Sequence, residues 1–180
     1  ADMTQAMAEY KKRFELARRV LGGCGISVPA DIELAVRVVK PFWEKNKKFI
    51  VELVKKFGKP ALLEMWDEQF FYFALKYELN FVDALRKASA LSTDQIDVEN
   101  AERYDLKFID KDNSQKRPLI LHLSPSGAIE RVIYALLEKA YMEQKSGKRK
   151  NPVLPLWLCP TQVRICPVSD KFKKFAERVC

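Results

Sequence analysis

The sequence predicts an α/β fold of the α+β kind, a sheet of several antiparallel strands flanked by helices. Two observations lead there. Between Ala61 and Leu123, stretches rich in aromatic and aliphatic side chains follow one another with polar turn residues between them. Before and after this region, apolar residues recur at steps of three and four, the spacing of a helix face. At 180 residues and 48% hydrophobic content the chain can bury a core as one domain, or as one domain plus part of another.

The elements follow in order. Met7, Tyr10, Phe14, Ala17 and Leu21 mark a helix that ends at Gly22-Gly23. Asp31 to Lys40 alternates Ile32, Leu34, Val36 and Val38 with Glu33 and Arg37, which reads as a strand. Pro41 opens the next helix, whose buried face is Phe42, Phe49, Ile50, Leu53, Val54 and Phe57 and which stops at Gly58-Lys59-Pro60. Antiparallel strands are expected over Ala61 to Met65, Gln69 to Asn80, Lys87 to Asp97, Leu106 to Asp110 and Arg117 to Leu123. A hairpin turn at 110–114 joins the last two. Ile129, Val132, Ile133, Leu136, Leu137, Ala140 and Tyr141 form the cleanest helical stripe in the chain. Lys145 to Pro152 has the polar, basic composition of a linker, and a strand over Leu154 to Val168 and a helix from Lys171 to Cys180 follow it.

Thirty-two Lys plus Arg against 24 Asp plus Glu give a net charge of +8, which favours a polyanion such as nucleic acid and equally keeps a surface soluble. No uncharged apolar run reaches the ~20 residues of a membrane span, and the first residues lack a signal-peptide pattern, so a cytoplasmic setting is expected. Cys24, Cys159, Cys166 and Cys180 are spaced neither as a CxxC pair nor as a disulfide framework, and reduced thiols are expected.

Chemistry concentrates where the strand Arg117–Leu123 runs into Ser124-Pro125-Ser126-Gly127-Ala128-Ile129-Glu130-Arg131. His122, the single histidine, faces away from Leu121 and Leu123, and a turn then opens a helix carrying Glu130 and Arg131 in its first turn. Gly127 would let a ligand approach the backbone, and Arg131 would meet a phosphate or stack on a base. The residues alone also admit a hydrogen-bonded structural histidine, a Glu130 that favours the helix dipole and a solvated Arg131.

Five ordered blocks carry a resemblance: Glu9–Leu21 (EYKKRFELARRVL), Phe57–Phe73 (FGKPALLEMWDEQFFYF), Ala90–Tyr104 (ALSTDQIDVENAERY), Arg117–Lys145 (RPLILHLSPSGAIERVIYALLEKAYMEQK) and Leu154–Asp170 (LPLWLCPTQVRICPVSD). They cover essentially the whole chain. The Gly-x-x-Glu-Arg pattern at 127–131 resembles the third signature motif of class II aminoacyl-tRNA synthetases, and the set resembles the archaeal type that charges tRNA(Thr) with threonine.

The resemblance implies that Arg131 packs against the adenine and contacts the ATP tail, that Gly127 makes room for the nucleotide, and that Glu130 orients Arg131. It places Gln95, Lys76 and Phe73, or Tyr72 beside it, in the threonine pocket. It makes His122 one of three ligands of a Zn2+ ion; the other two, a cysteine and a histidine, belong upstream, and no second histidine is present. ATP with Mg2+ is the implied co-substrate. Zinc explains how threonine is told from valine, since an apolar pocket separates such isosteres by only ~100-fold.

By the same resemblance, residues 1–146 are the later half of the catalytic domain, with motif three at 124–131, and 147–180 are a linker and the beginning of the anticodon-binding domain. The parent would be a homodimer and the ligase. The 180-residue piece, without motifs one and two, would be inactive. A non-catalytic RNA-binding module derived from such an enzyme is the alternative, as is, more remotely, an unrelated domain in which His122 and Arg131 are structural.

Overall fold

A computed structural model describes residues 2–179, so Ala1, Cys180 and the end of the last expected helix lie outside the described residues. Helix α1 (Met3–Gly23) starts where the Asp2 carboxylate accepts the Gln5 N–H at 2.8 Å. Strand β1 (Ile32–Val39) runs directly into α2 (Lys40–Phe57), with Pro41 in the first turn, and Gly58 closes that helix at φ +92°. Then come β2 (Ala61–Trp66), β3 (Phe73–Val82), β4 (Ala88–Asp97), the short α3 (Asn100–Arg103), β5 (Phe108–Ile109), β6 (Gln115–Lys116), β7 (Ile120–Ser124) and α4 (Ile129–Lys145).

One sheet of five strands, in the order β2-β1-β3-β4-β7, organises the molecule. Its covered face carries Leu34, Val36 and Val38 of β1, Leu75, Tyr77 and Leu79 of β3, and Ile96 of β4. Tyr10 and Phe14 of α1 meet Tyr77 edge-on at 5.4 and 5.1 Å, and Phe49 of α2 packs on Tyr10 at 6.0 Å. Helices α1 and α2 therefore lie on the same side. The opposite face bears the polar side chains Arg37, Lys76, Glu78, Thr93 and Gln95, outside the apolar core cluster.

Several expectations are corrected. Ala61–Met65 is a strand, but it pairs parallel to β1, because the whole of α2 intervenes and returns the chain to the same end of the sheet. The strand expected from Gln69 starts at Phe73, since residues 67–72 turn while Trp66, Phe70 and Phe71 stack on one another. The expected hairpin exists only as β5 against β6; Pro118, which has no N–H to donate, ends the pairing before β7 joins β4. Helix α3 was not expected.

The largest correction is at the C-terminal end. Leu154–Val168 is not a strand: Leu156–Leu158 forms a single 3-10 turn and the rest joins no ladder among the described residues, because Pro155, Pro160 and Pro167 remove donors. The following helix is a 3-10 turn at Asp170–Phe172 leading into α5 (Lys173–Val179). Only half of the α4 stripe is inside. Leu136 and Ala140 are buried with Ala135, whereas Ile129, Ile133, Leu137 and Tyr141 are 75, 52, 57 and 49% exposed.

Candidate active-site face

Register builds the site. On the open face Glu64, Arg37, Lys76, Gln95 and His122 are successive cross-strand partners, one from each strand of the five-stranded sheet. Residues 19 and 27 positions apart along the chain thus become neighbours about 5 Å apart in a row. The sheet brings Lys76, Gln95 and His122 together.

The row is braced by charge. Glu78, two residues from Lys76 and on the same face, takes the Lys76 ammonium at 2.7 Å and Arg37 at 2.9 Å, while Arg37 also reaches Glu64 at 2.7 Å. Lys76 is thereby held, with its ammonium 5.8 Å from the centre of the Phe73 ring. Phe73 itself is only 5% exposed and stacks parallel to Phe71 at 5.2 Å. The aromatic that touches the row is Tyr72: its hydroxyl donates to Gln95 Oε1, and its ring stands edge-on to His122 at 5.6 Å.

His122 Nε2 lies 2.7 Å from Asp97 Oδ2. The buried Asp97 carboxylate also accepts N–H bonds from Glu99 at 3.0 Å and from Asn100 at 2.9 Å, in the turn that leads into α3. Burial alone would raise its pKa, but these backbone bonds, with those from His122 and the Asn100 side chain, outweigh it and hold the carboxyl below its ordinary range. Asp97 was missed as a partner of His122 because 25 residues separate the two. The alternation Thr93, Gln95, Asp97 already placed it on the correct face.

Behind Gln95, Asp94 points into the core. Arg13 of α1 grips it with two hydrogen bonds of 2.9 and 3.0 Å, Tyr10 donates to its carbonyl at 2.9 Å, and its Oδ1 accepts the Gln95 N–H at 2.9 Å. Desolvation pushes the Asp94 carboxyl up to about 6 against the pull of Arg13. This buried pair fixes the backbone from which Gln95 projects. Neither residue was singled out for this from sequence.

Gly127, Glu130 and Arg131 lie toward the other end of β4. Arg131 Nη1 donates to Ala90 O at 3.0 Å, ~17 Å along the strand from Gln95 at ~3.4 Å per residue. Glu130 is exposed in the first turn of α4 and, among the described residues, makes no ion pair with Arg131. Gly127 has φ +92°, and a Cβ there would sit 2.4 Å from Leu91 O. The room it makes is room for β4.

Among the described residues no three His, Cys, Asp or Glu side chains gather as a metal site, and Cys24, Cys159 and Cys166 are free. No helix of the described residues is long and apolar enough to cross a membrane.

Comparison with known proteins agrees with this architecture. The chain is 57% identical over 178 residues to the threonine-tRNA ligase of Methanosarcina acetivorans, covering 99% of this chain and 28% of that one. It is 57% identical over 175 residues to the threonine-tRNA ligase of Thermococcus kodakarensis, covering 97% and 28%. The chain thus spans little more than a quarter of the curated relatives it matches. A crystal structure described as the RNA binding domain of threonyl-tRNA synthetase from Cryptosporidium parvum Iowa II superposes with a TM-score of 0.69 at 23% identity, over 99% of this chain and 43% of that one. Residues 2–140 match the family described as tRNA synthetase class II core domain (G, H, P, S and T), and the chain belongs to that family.

Proposed function

We propose that this chain supplies one wall of the active site of a cytoplasmic threonine-tRNA ligase of archaeal type. The observation that carries the reading is the row Lys76–Gln95–His122 on the open face, with Arg131 further along β4. In this reading threonine lies against the row and ATP lies toward Arg131. The threonine carboxylate attacks the α-phosphorus, pyrophosphate leaves, and the adenylate passes threonine to tRNA(Thr). Such chemistry needs positioning and charge stabilisation rather than a protein nucleophile.

The chain's own groups divide the work. Gln95, fixed by Tyr72 and from behind by Asp94, offers an amide to a polar group of the substrate. Lys76, restrained by Glu78, places a positive charge near a carboxylate or phosphate. Arg131 stays tethered to Ala90 by one nitrogen while the rest of its guanidinium is open to ATP, whose Mg2+ travels with it.

For the zinc ion the resemblance implies, His122 fits as a donor, because its Nε2 is already engaged by a buried carboxylate in the manner of metal-bound histidines. Bound there, zinc would supply Lewis-acid contacts to the threonine amino and hydroxyl groups. The division into 1–146 and 147–180, the anticodon-binding role of the latter and a homodimeric parent belong to the same proposal.

The reading is tested by grafting. Replacing the corresponding segment of the Methanosarcina acetivorans ligase by these residues should preserve threonine-dependent ATP–pyrophosphate exchange. Q95A or H122A in the chimaera should reduce it by ~100-fold or more, as expected when a substrate-contacting polar group is removed. A folded chimaera without exchange, or one indifferent to both substitutions, sinks the proposal. The 180-residue polypeptide alone should show no exchange, since it offers a single histidine.

The +8 charge supports the second reading, an RNA-binding module. Salt-dependent tRNA binding by the chain, together with an inactive chimaera, would favour it.

A further inference from the structure

The hairpin between β3 and β4 closes with two backbone bonds of 3.0 Å, from Asp83 N–H to Lys87 O and from Arg86 N–H to Asp83 O, and Arg86 has φ +65°. This is the left-handed position of a short hairpin loop, where glycine or asparagine sits easily and a long side chain is strained. A strained cation at a loop tip points to a use outside the fold.

Arg86 borders an open hollow of about 900 Å3 between this hairpin, the start of β1 and the last turns of α4. Four carboxylates line the hollow, and each is already engaged. Asp31 is held by Lys139 at 2.5 Å, Glu33 by Lys59 at 3.2 Å, Asp83 by the Tyr134 hydroxyl at 2.5 Å and Glu143 by Lys148 at 2.7 Å. Arg86 and Lys145, both exposed on its rim, form no ion pair among the described residues. Lys148 is 67% exposed and its pair is cheaply opened, since Glu143 keeps Arg149 at 3.0 Å when Lys148 turns away. An incoming group therefore meets uncompensated positive charge. Inside the rim Tyr141 is 49% exposed. Cations around an accessible aromatic ring are the parts of a groove for an RNA strand, and a recess of this depth does not suit a flat bilayer.

We propose that this hollow docks an RNA strand, with phosphates against Arg86, Lys145 and Lys148 and an unpaired base on Tyr141. The hairpin begins seven residues along β3 from Lys76, or ~24 Å, so the hollow is separate from the row on the open face. Only the identity of the RNA as tRNA(Thr) rests on the ligase reading.

The test is the binding of a tRNA(Thr) transcript to the 180-residue chain as salt is varied. The double variant R86N/K145Q should bind roughly 10-fold or more weakly near ~0.1 M salt, and the slope of log K against log salt should shrink by about 1.5 to 2. K45Q/K48Q removes the same charge from exposed positions of α2 and should stay within ~2-fold of wild type, with its slope kept. Equal weakening by both pairs would show a diffuse field of the +8 chain and overturns the proposal, as does a chain that binds no RNA. Y141L should weaken binding by roughly 10-fold with the slope unchanged, because stacking releases no counterions. A Y141L affinity equal to wild type overturns the stacked base. R86N alone should keep or raise the urea midpoint, since asparagine tolerates the left-handed turn. Affinity lost together with stability would mark Arg86 as structural and overturns the proposal.

In the chimaera, R86N/K145Q should leave ATP–pyrophosphate exchange unchanged and raise the KM for tRNA by roughly 10-fold. An inactive chimaera whose tRNA binding still responds to the two substitutions removes the ligase reading only. An active chimaera whose KM for tRNA ignores them removes the docking site only. If the substitutions instead lower its urea midpoint, the hollow is filled by the rest of the parent chain and the proposal falls.

Discussion

Gly127 has a structural role that its place in the sequence did not show. From sequence it promised room for a ligand, but its φ of +92° and the 2.4 Å that would separate an added Cβ from Leu91 O make it the hinge that seats the turn against β4. G127A should therefore cost on the order of 2 kcal/mol or more of stability, measured as a lower urea midpoint, because both the left-handed backbone and the contact must give. An unchanged midpoint with lost nucleotide binding would restore the ligand reading. Asp94 supports a second test, with a definite sign. Its folded pKa, raised to about 6, lies above the ordinary carboxylate value, so the stability it contributes is present below about pH 4 and is lost as pH rises through about 6. The unfolding free energy of wild type minus that of D94N should fall across that window. A flat or rising difference would show that Arg13 compensates the burial fully.

At the scale of elements, type was more legible than partnership. The alternation in Ile32–Val39 and the stripe in Met7–Leu21 each report a local period, and both elements formed as read. What the period does not report is which neighbour an element meets. β2 became parallel because an 18-residue helix separates it from β1, a spacing that marks a crossover and was read only as two elements. In the same way Asp97 and His122 were each visible, but the hydrogen bond between them is a product of β4–β7 register. α4 displays the limit best. Lys139 ties it to Gly25 O and Asp31 at 2.7 and 2.5 Å, and Tyr134 to Asp83 at 2.5 Å, which turns Leu136 inward and Ile133 and Leu137 outward although all three belong to one apolar stripe. Urea denaturation of the chain should separate them. L136A should lose about 2–5 kcal/mol, whereas I133E and L137E should stay within ~0.5 kcal/mol of wild type. Equal losses at all three positions would mean that the outer half of the stripe is also packed.

For the molecule as a whole, the question is where the folded body stops. Composition put the boundary at the basic stretch Lys145–Pro152, yet the contacts continue past it. Arg149 and Lys148 hold Glu143 at 3.0 and 2.7 Å, Leu154 and Leu158 pack against the core, and Trp157 donates to Gly23 O at 3.0 Å. Beyond Cys159 the pattern changes. Val163 and Val168 are 79 and 92% exposed, and Phe172, Phe175 and Val179 line an open apolar hollow with residues of their own segment, from Ile165 to Val168 and Ala176. A few apolar side chains that meet only each other cannot offset the entropy of ordering some twenty residues, so this segment opens far more readily than the sheet. Limited trypsin digestion of the chain should therefore cut first at Arg164, Lys171, Lys173 or Lys174, and mass spectrometry should find a resistant product that still contains Trp157. An early cut at Lys150 that releases Trp157 would move the boundary back to the basic stretch. It would also show that the Trp157–Gly23 hydrogen bond and the packing of Leu154 and Leu158 are too weak to hold the strap to the body.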